Sequence, residues 1–132
     1  MGRSGYDDGL DYQSLCLWRG AVDRSLQGRR GQAFLREMLA ALDALPQPRL
    51  IANELVSDTG EVCAIGSVGA ARGADMARID PGERDEVAHA FGLAEAMVAE
   101  IAYVNDECGR HEETPEERFI RVRKWVVSQV RF

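Results

Sequence analysis

The chain lacks any apolar run near the roughly 20 residues needed to cross a bilayer, and its first residues, Met1-Gly2-Arg3-Ser4-Gly5-Tyr6, hold no apolar stretch of the secretory kind. Tyr6 stands where an N-myristoylation pattern needs Ser or Thr. No membrane partner is expected, and the cytoplasm is the expected location. Cysteine is scarce, odd in number and widely spaced, at Cys16, Cys63 and Cys108. That excludes a disulfide framework and predicts reduced thiols. No repeat of solenoid period, Walker-type glycine loop, serine nucleophile elbow or HExxH motif occurs, which removes the enzyme classes that depend on them. What remains, 132 residues with 45% hydrophobic and 29% charged, suits one compact domain.

Charge is unevenly placed. The net charge is −6, yet residues 80–117 hold twelve acids against Arg84 and Arg110, and residues 118–132 hold five bases and no acid. Such a balance excludes a general polyanion binder, which needs a broad basic surface. A local basic stripe remains open.

The apolar pattern is helical. Residues 1–11, with Gly2, Gly5, Gly9 and clustered Asp, show no apolar period and are expected to form a flexible arm before a domain over 12–132. Leu15, Trp18, Val22 and Leu26 recur at helical spacing and predict a helix over 12–27 that stops at Gly28. Leu35, Met38, Leu39, Leu42 and Leu45 mark a second over 31–45, ended by Pro46 and Pro48, and the short connection predicts a helical hairpin. Residues 49–73 allow two readings: a small β-hairpin near 50–66 around Ser57-Asp58-Thr59-Gly60, or a buried helix with Val62, Ile65 and Val68 facing inward. The small residues Gly66, Gly69, Ala70 and Gly73 favour the helix. Asp80-Pro81-Gly82-Glu83 reads as a capped helix start for a segment over 81–91, with a break at Gly92 and a further helix over 93–107. Thr114-Pro115-Glu116-Glu117 repeats that start signal before a last helix bearing Phe119, Val122, Trp125, Val126 and Val130. The expected fold is a single, mainly α domain of five or six helices.

Four arrangements are candidates for chemistry. The acids Glu95, Glu100, Asp106, Glu107, Glu112 and Glu113 form a candidate acidic face for docking onto a basic partner. Arg29, Arg30, Arg121 and Lys124 form a candidate phosphate-contacting stripe, although it lacks the interleaved aromatics of a single-strand binder. Cys63, in the first turn of its helix, is a candidate nucleophile with His89 or His111 as base, set against the ordinary role of a packed thiol. Cys108 and His111 have the spacing of half a zinc site, without a second closely spaced pair. The expected catalytic residues, cofactor and metal are none.

The segments Trp18-Arg19-Gly20-Ala21-Val22, Gly28 to Met38, Gly60 to Gly66, and Glu113 to Phe119 together resemble a family of small uncharacterised proteins encoded by bacteriophages and prophages. The resemblance spans most of the chain. It implies a bacterial host cytoplasm, and a role in which the protein binds a host or phage protein, in the manner of inhibitors of antiviral defence, CRISPR effectors included. The leading expectation is therefore a non-catalytic binding module. The alternatives are a nucleic-acid-associated regulator using the C-terminal helix and a thiol enzyme centred on Cys63. A homodimer through Trp125 or Phe132 is a further expectation.

Overall fold

A computed structural model describes residues 2–6 and 11–132. Among the described residues six helices occur in chain order: α1 (Tyr12–Gln27), α2 (Arg29–Asp43), α3 (Ala64–Arg72), α4 (Arg84–Phe91), α5 (Glu95–Asp106) and α6 (Pro115–Gln129). They pack into one mainly helical domain. The expected bounds of the first helix and the expected start of the last hold, and the reason for both starts is capping; the last helix ends at Gln129, one residue before Val130. Asp11 accepts the Ser14 amide ahead of α1, and Thr114 and Glu117 form a reciprocal capping box ahead of α6.

α5 is the centre of the molecule. It packs against α1, α3, α4 and α6, and Ala96, Met97, Val98, Ala99, Ile101 and Val104 are all buried. A helix buried on nearly every side carries no amphipathic stripe, so its periodicity understates how much of it is core. Across it, α2 contributes Leu35, Met38 and Leu42, and α6 contributes Val122 and Val126, each at most 1% exposed. Each such side chain is stabilised by about 1.5–3 kcal/mol on leaving water. Gly92, in the left-handed conformation at φ +71°, ends α4 and lets α5 turn away by 106°. Among the described residues, no single helix is long and apolar enough to cross a membrane.

α4 starts three residues later than its sequence signal. Asp80 does not cap a helix at Pro81; its carboxylate accepts the Gly82 amide in a tight turn, and Glu83 stands at the helix start. Residues 49–63 form a turn and a single antiparallel bridge, Val56 to Val62, with no strand among the described residues. Helix α3 comes next, so the helical reading is correct from Ala64 onward and the hairpin shrinks to one bridge.

Residues 2–6, expected to belong to a flexible arm, are instead held against the body. Ser4 is fully buried, Arg3 reaches Asp106, and Tyr6 meets Trp18 edge to face and Tyr103 at a tilt. Polar side chains gave no apolar period to read there, yet they bind strongly where α5 offers carboxylates. Residues 1 and 7–10 of that expected arm lie outside the described residues.

Two glycines set close approaches. A Cβ on Gly66 would lie 1.9 Å from the Leu55 carbonyl oxygen, and one on Gly31 would lie 1.8 Å from that of Ser25. Both obstacles are backbone. Gly66→Ala should therefore destabilise the fold by about 2–4 kcal/mol in urea unfolding, because the Leu55 loop must move. Gly20→Ala meets only the end of the Arg24 side chain and should stabilise α1 by up to about 1 kcal/mol.

Candidate functional site

The acids come first, because they were expected to form one face. Glu100 points inward from α5, where its Oε1 accepts from Arg19 at 2.8 Å and from the Tyr6 hydroxyl at 2.9 Å. Asp106 accepts both nitrogens of the Arg3 fork at 2.6 and 2.9 Å, and the two side chains are 3% and 6% exposed. Glu113 accepts Arg121 at 2.7 and 2.9 Å and lies 3.5 Å from Arg118. Glu107 takes the Ser4 hydroxyl at 2.5 Å. Of these six, Glu95, Glu107 and Glu112 are exposed with no ion pair among the described residues. The expected acidic face is therefore halved, to Glu95, Glu107 and Glu112: Glu100, Asp106 and Glu113 are internal counter-ions. Carboxylates taken out of water need such partners, and arginines distant in sequence supply them.

The electrostatics derive from these contacts. Burial opposes the charge on Arg3, but the Cys63 sulfur and the Asp106 carboxylate outweigh it and raise the guanidinium above its ordinary value. Burial raises the Tyr6 hydroxyl, and Glu100 beside it adds to the shift. Arg121 holds the Glu113 carboxyl below its ordinary value, while Arg110 and the Thr114 amide lower exposed Glu117 to about 2.

The basic stripe is also dismantled. Arg121 donates to the carbonyls of Val104 and Asn105 as well as to Glu113, and Arg118 donates to Asn105 and Leu50. These guanidiniums satisfy carbonyls left open at the end of α5. Lys124 stays exposed on α6. Arg29 and Arg30 sit elsewhere, beside Leu93 and Ala94 at the start of α5, about 15 Å along its axis from Val104. There they line a hollow of about 200 Å³ together with Arg24, Gly28 and Met97. Sequence reasoning missed Arg24; the available signal was a base on either side of the Gly28 break. A second hollow, of about 220 Å³, lies between Leu45, Pro46 and the turn at Thr59–Val62, and its arginine is neutralised, since Arg49 meets Glu61 at 3.2 Å and Glu116 at 3.4 Å.

Cys63 occupies an N-cap. Its sulfur is fully buried, accepts the Gly66 amide at 3.3 Å and lies 3.5 Å from Arg3, whereas His89 and His111 are both exposed. The structure does not bring an imidazole to it. No group of three or more metal-ligating side chains occurs among the described residues, so Cys108 and His111 gather no further ligands there. Trp125 packs against the core, and Phe132 is 95% exposed.

Cys16 and Cys108 are exposed while Cys63 is buried beneath Arg3. A thiol reagent should therefore label two cysteines in the folded protein and the third only on unfolding. Burial raises the Cys108 thiol, so Cys16 should react first. Arg3→Ala should speed labelling of Cys63 without a comparable change at Cys16.

Glu37, Asp43, Glu113 and Glu117 all have carboxyls lowered by folding, each through an arginine. The stability they confer is complete above the ordinary values of 3.8 and 4.5 and disappears as pH falls through the folded values, about 2 for Glu117. The urea midpoint should hold above pH 4.5 and decline toward pH 2, and Glu113→Gln should make that decline shallower. Comparison with protein-family models, curated proteins and solved structures finds no match to this chain.

Proposed function

We propose that the protein is a non-catalytic binding module that docks onto a basic surface of a host or phage protein through the carboxylates of the α3–α4 connection and the start of α4. The observation that carries this reading is where unneutralised negative charge remains. With Glu100, Asp106 and Glu113 paired internally, Asp75, Asp80, Glu83, Asp85 and Glu86 are all exposed and have no ion pair among the described residues. Two bases lie in the same stretch: Arg78 is exposed with no ion pair among the described residues, and Arg84 turns inward, donating to the Ser4 carbonyl and lying 5.6 Å from the centre of the Trp18 ring. Asp85 and Glu86 also suit the α4 helix start, whereas Asp75 and Asp80 precede it. A cluster with an excess of one sign steers a partner of the other sign and makes encounter salt-dependent. The resemblance of the sequence to small phage proteins supports a protein as the class of partner.

Immobilised protein exposed to bacterial extract tests this at low and moderate salt. The wild type and a Glu112→Lys control should retain the same partner, less of it at moderate salt, and Asp80→Lys/Asp85→Lys should lose it. Retention of no protein at either salt, or equal retention by the charge-reversed variant, rejects the reading.

A further inference from the structure

The C-terminal half of α5 lines a groove that residues 2–6 fill. Gly5 donates to the Gly2 carbonyl at 3.0 Å, and this turn lets Arg3, Ser4 and Tyr6 all reach the body. Both oxygens of Asp106 take the Arg3 fork, Glu107 takes the Ser4 hydroxyl, and Glu100 takes the Tyr6 hydroxyl. Two properties set the segment apart from the rest of the fold. It brings no apolar mass: among the described residues, none before Trp18 belongs to the apolar core. Segments held by few buried apolar contacts open locally at low free-energy cost. The groove is also assembled without the segment. Asp106 accepts the Asn53 amide at 3.1 Å and the Asn105 carboxamide at 2.9 Å, Arg19 holds Glu100 at 2.8 Å, and Arg84 lies over Trp18. Those partners belong to the body, so the carboxylates are aimed by groups other than the segment they bind.

We propose that this groove is a binding site for an arginine-bearing peptide segment, an arginine followed after two small residues by a tyrosine, and that residues 2–6 are its built-in competitor. The ligand class is read from what occupies the groove. The Asp106 side chain is 3% exposed and meets both Nε and Nη2 of Arg3, a paired contact that a planar guanidinium makes and an ammonium does not. The remaining nitrogen, Nη1, reaches the Glu54 carbonyl at 3.3 Å and the Cys63 sulfur at 3.5 Å. Ser4 is fully buried, which selects a small residue there, and Gly5 takes a left-handed conformation at φ +74° that favours glycine. At the far end, the rings of Trp18 and Tyr103 lie 5.9 and 5.0 Å from that of Tyr6, and Glu100 accepts its hydroxyl at 2.9 Å. Aromatic walls with one acceptor fit a ring tipped by a donor. A segment tethered on the same chain competes at an effective concentration on the order of millimolar. A free segment therefore meets a groove already filled, and its apparent affinity falls with the fraction of time the groove is empty. The site stands apart from the acidic edge at 75–86, since its carboxylates come from α5.

The full-length Arg3→Ala/Tyr6→Ala variant, which empties the groove, tests the assignment against an acetylated peptide carrying residues 2–6. Calorimetric titration should show the variant binding this peptide at least tenfold more tightly than the wild type does. The same peptide with lysine in place of arginine, and one with the order of residues reversed, should each bind at least tenfold more weakly. The Cys63 thiol gives a second readout, because Arg3 covers it. Its labelling should quicken in the variant and slow again when the arginine peptide is added, with no such change at Cys16. Absence of peptide binding to the variant at millimolar concentration overturns the proposal, as does equal binding by variant and wild type. Equal binding of the lysine or reversed peptide also overturns it, in favour of unspecific charge attraction. Circular dichroism of the variant should show the helix content and single unfolding transition of the wild type; loss of either would assign residues 2–6 to the fold and overturn the proposal.

Discussion

Asn105 and Asp106, the last two residues of α5, hold together parts of the chain that have no regular structure to order them. The Asn105 carboxamide accepts the Ala64 amide at 3.0 Å and donates to the Ile51 carbonyl at 2.9 Å. Asp106 accepts the Asn53 amide at 3.1 Å, with Asn53 in a left-handed conformation that asparagine tolerates. The same carboxylate anchors Arg3, whose guanidinium also reaches the Glu54 carbonyl and the Cys63 sulfur. A segment with one bridge and no strand thus obtains from two side chains the polar partners a sheet would have provided.

The arrangement explains where the acids went. α5 both contributes more buried residues than any other helix and bears Glu100, Asp106 and the backbone oxygens that Arg118 and Arg121 cap. Its two inward-facing ions are tolerated because each meets a guanidinium from a different element, Glu100 from α1 and Asp106 from the segment before α1. Pairing of this kind fixes geometry more than it adds net stability, because desolvation offsets much of the attraction. It also leaves the surface with a different charge map from the one implied by counting. Uncompensated negative charge collects near α4, and uncompensated positive charge collects at the α1–α2 corner.

The helices were legible where the signal was local. Thr114-Pro115-Glu116-Glu117 starts α6 because cap, proline and glutamate act within four residues. Asp80-Pro81-Gly82-Glu83 has the same letters in part but turns instead, because the Asp80 carboxylate takes the Gly82 amide and Glu86 takes the Asp80 amide. Short polar side chains settle into a turn or a cap according to which backbone amide lies within reach. The Gly66 signal was likewise readable as close packing, though the neighbour proved to be the Leu55 backbone rather than another helix.

By itself, then, the sequence determined a mainly helical domain, the ends of α1 and the start of α6, the break at Gly92 and the buried thiol at Cys63, since capping, periodicity and apolar neighbours act over a few residues. Only the tertiary structure decided which charges face water. Arg3 and Asp106 lie 103 residues apart, and Arg24 joins Leu93 only when α1 closes on α5. Ion pairs and hollows of this sort depend on direction and distance in three dimensions, which composition and spacing along a chain do not encode.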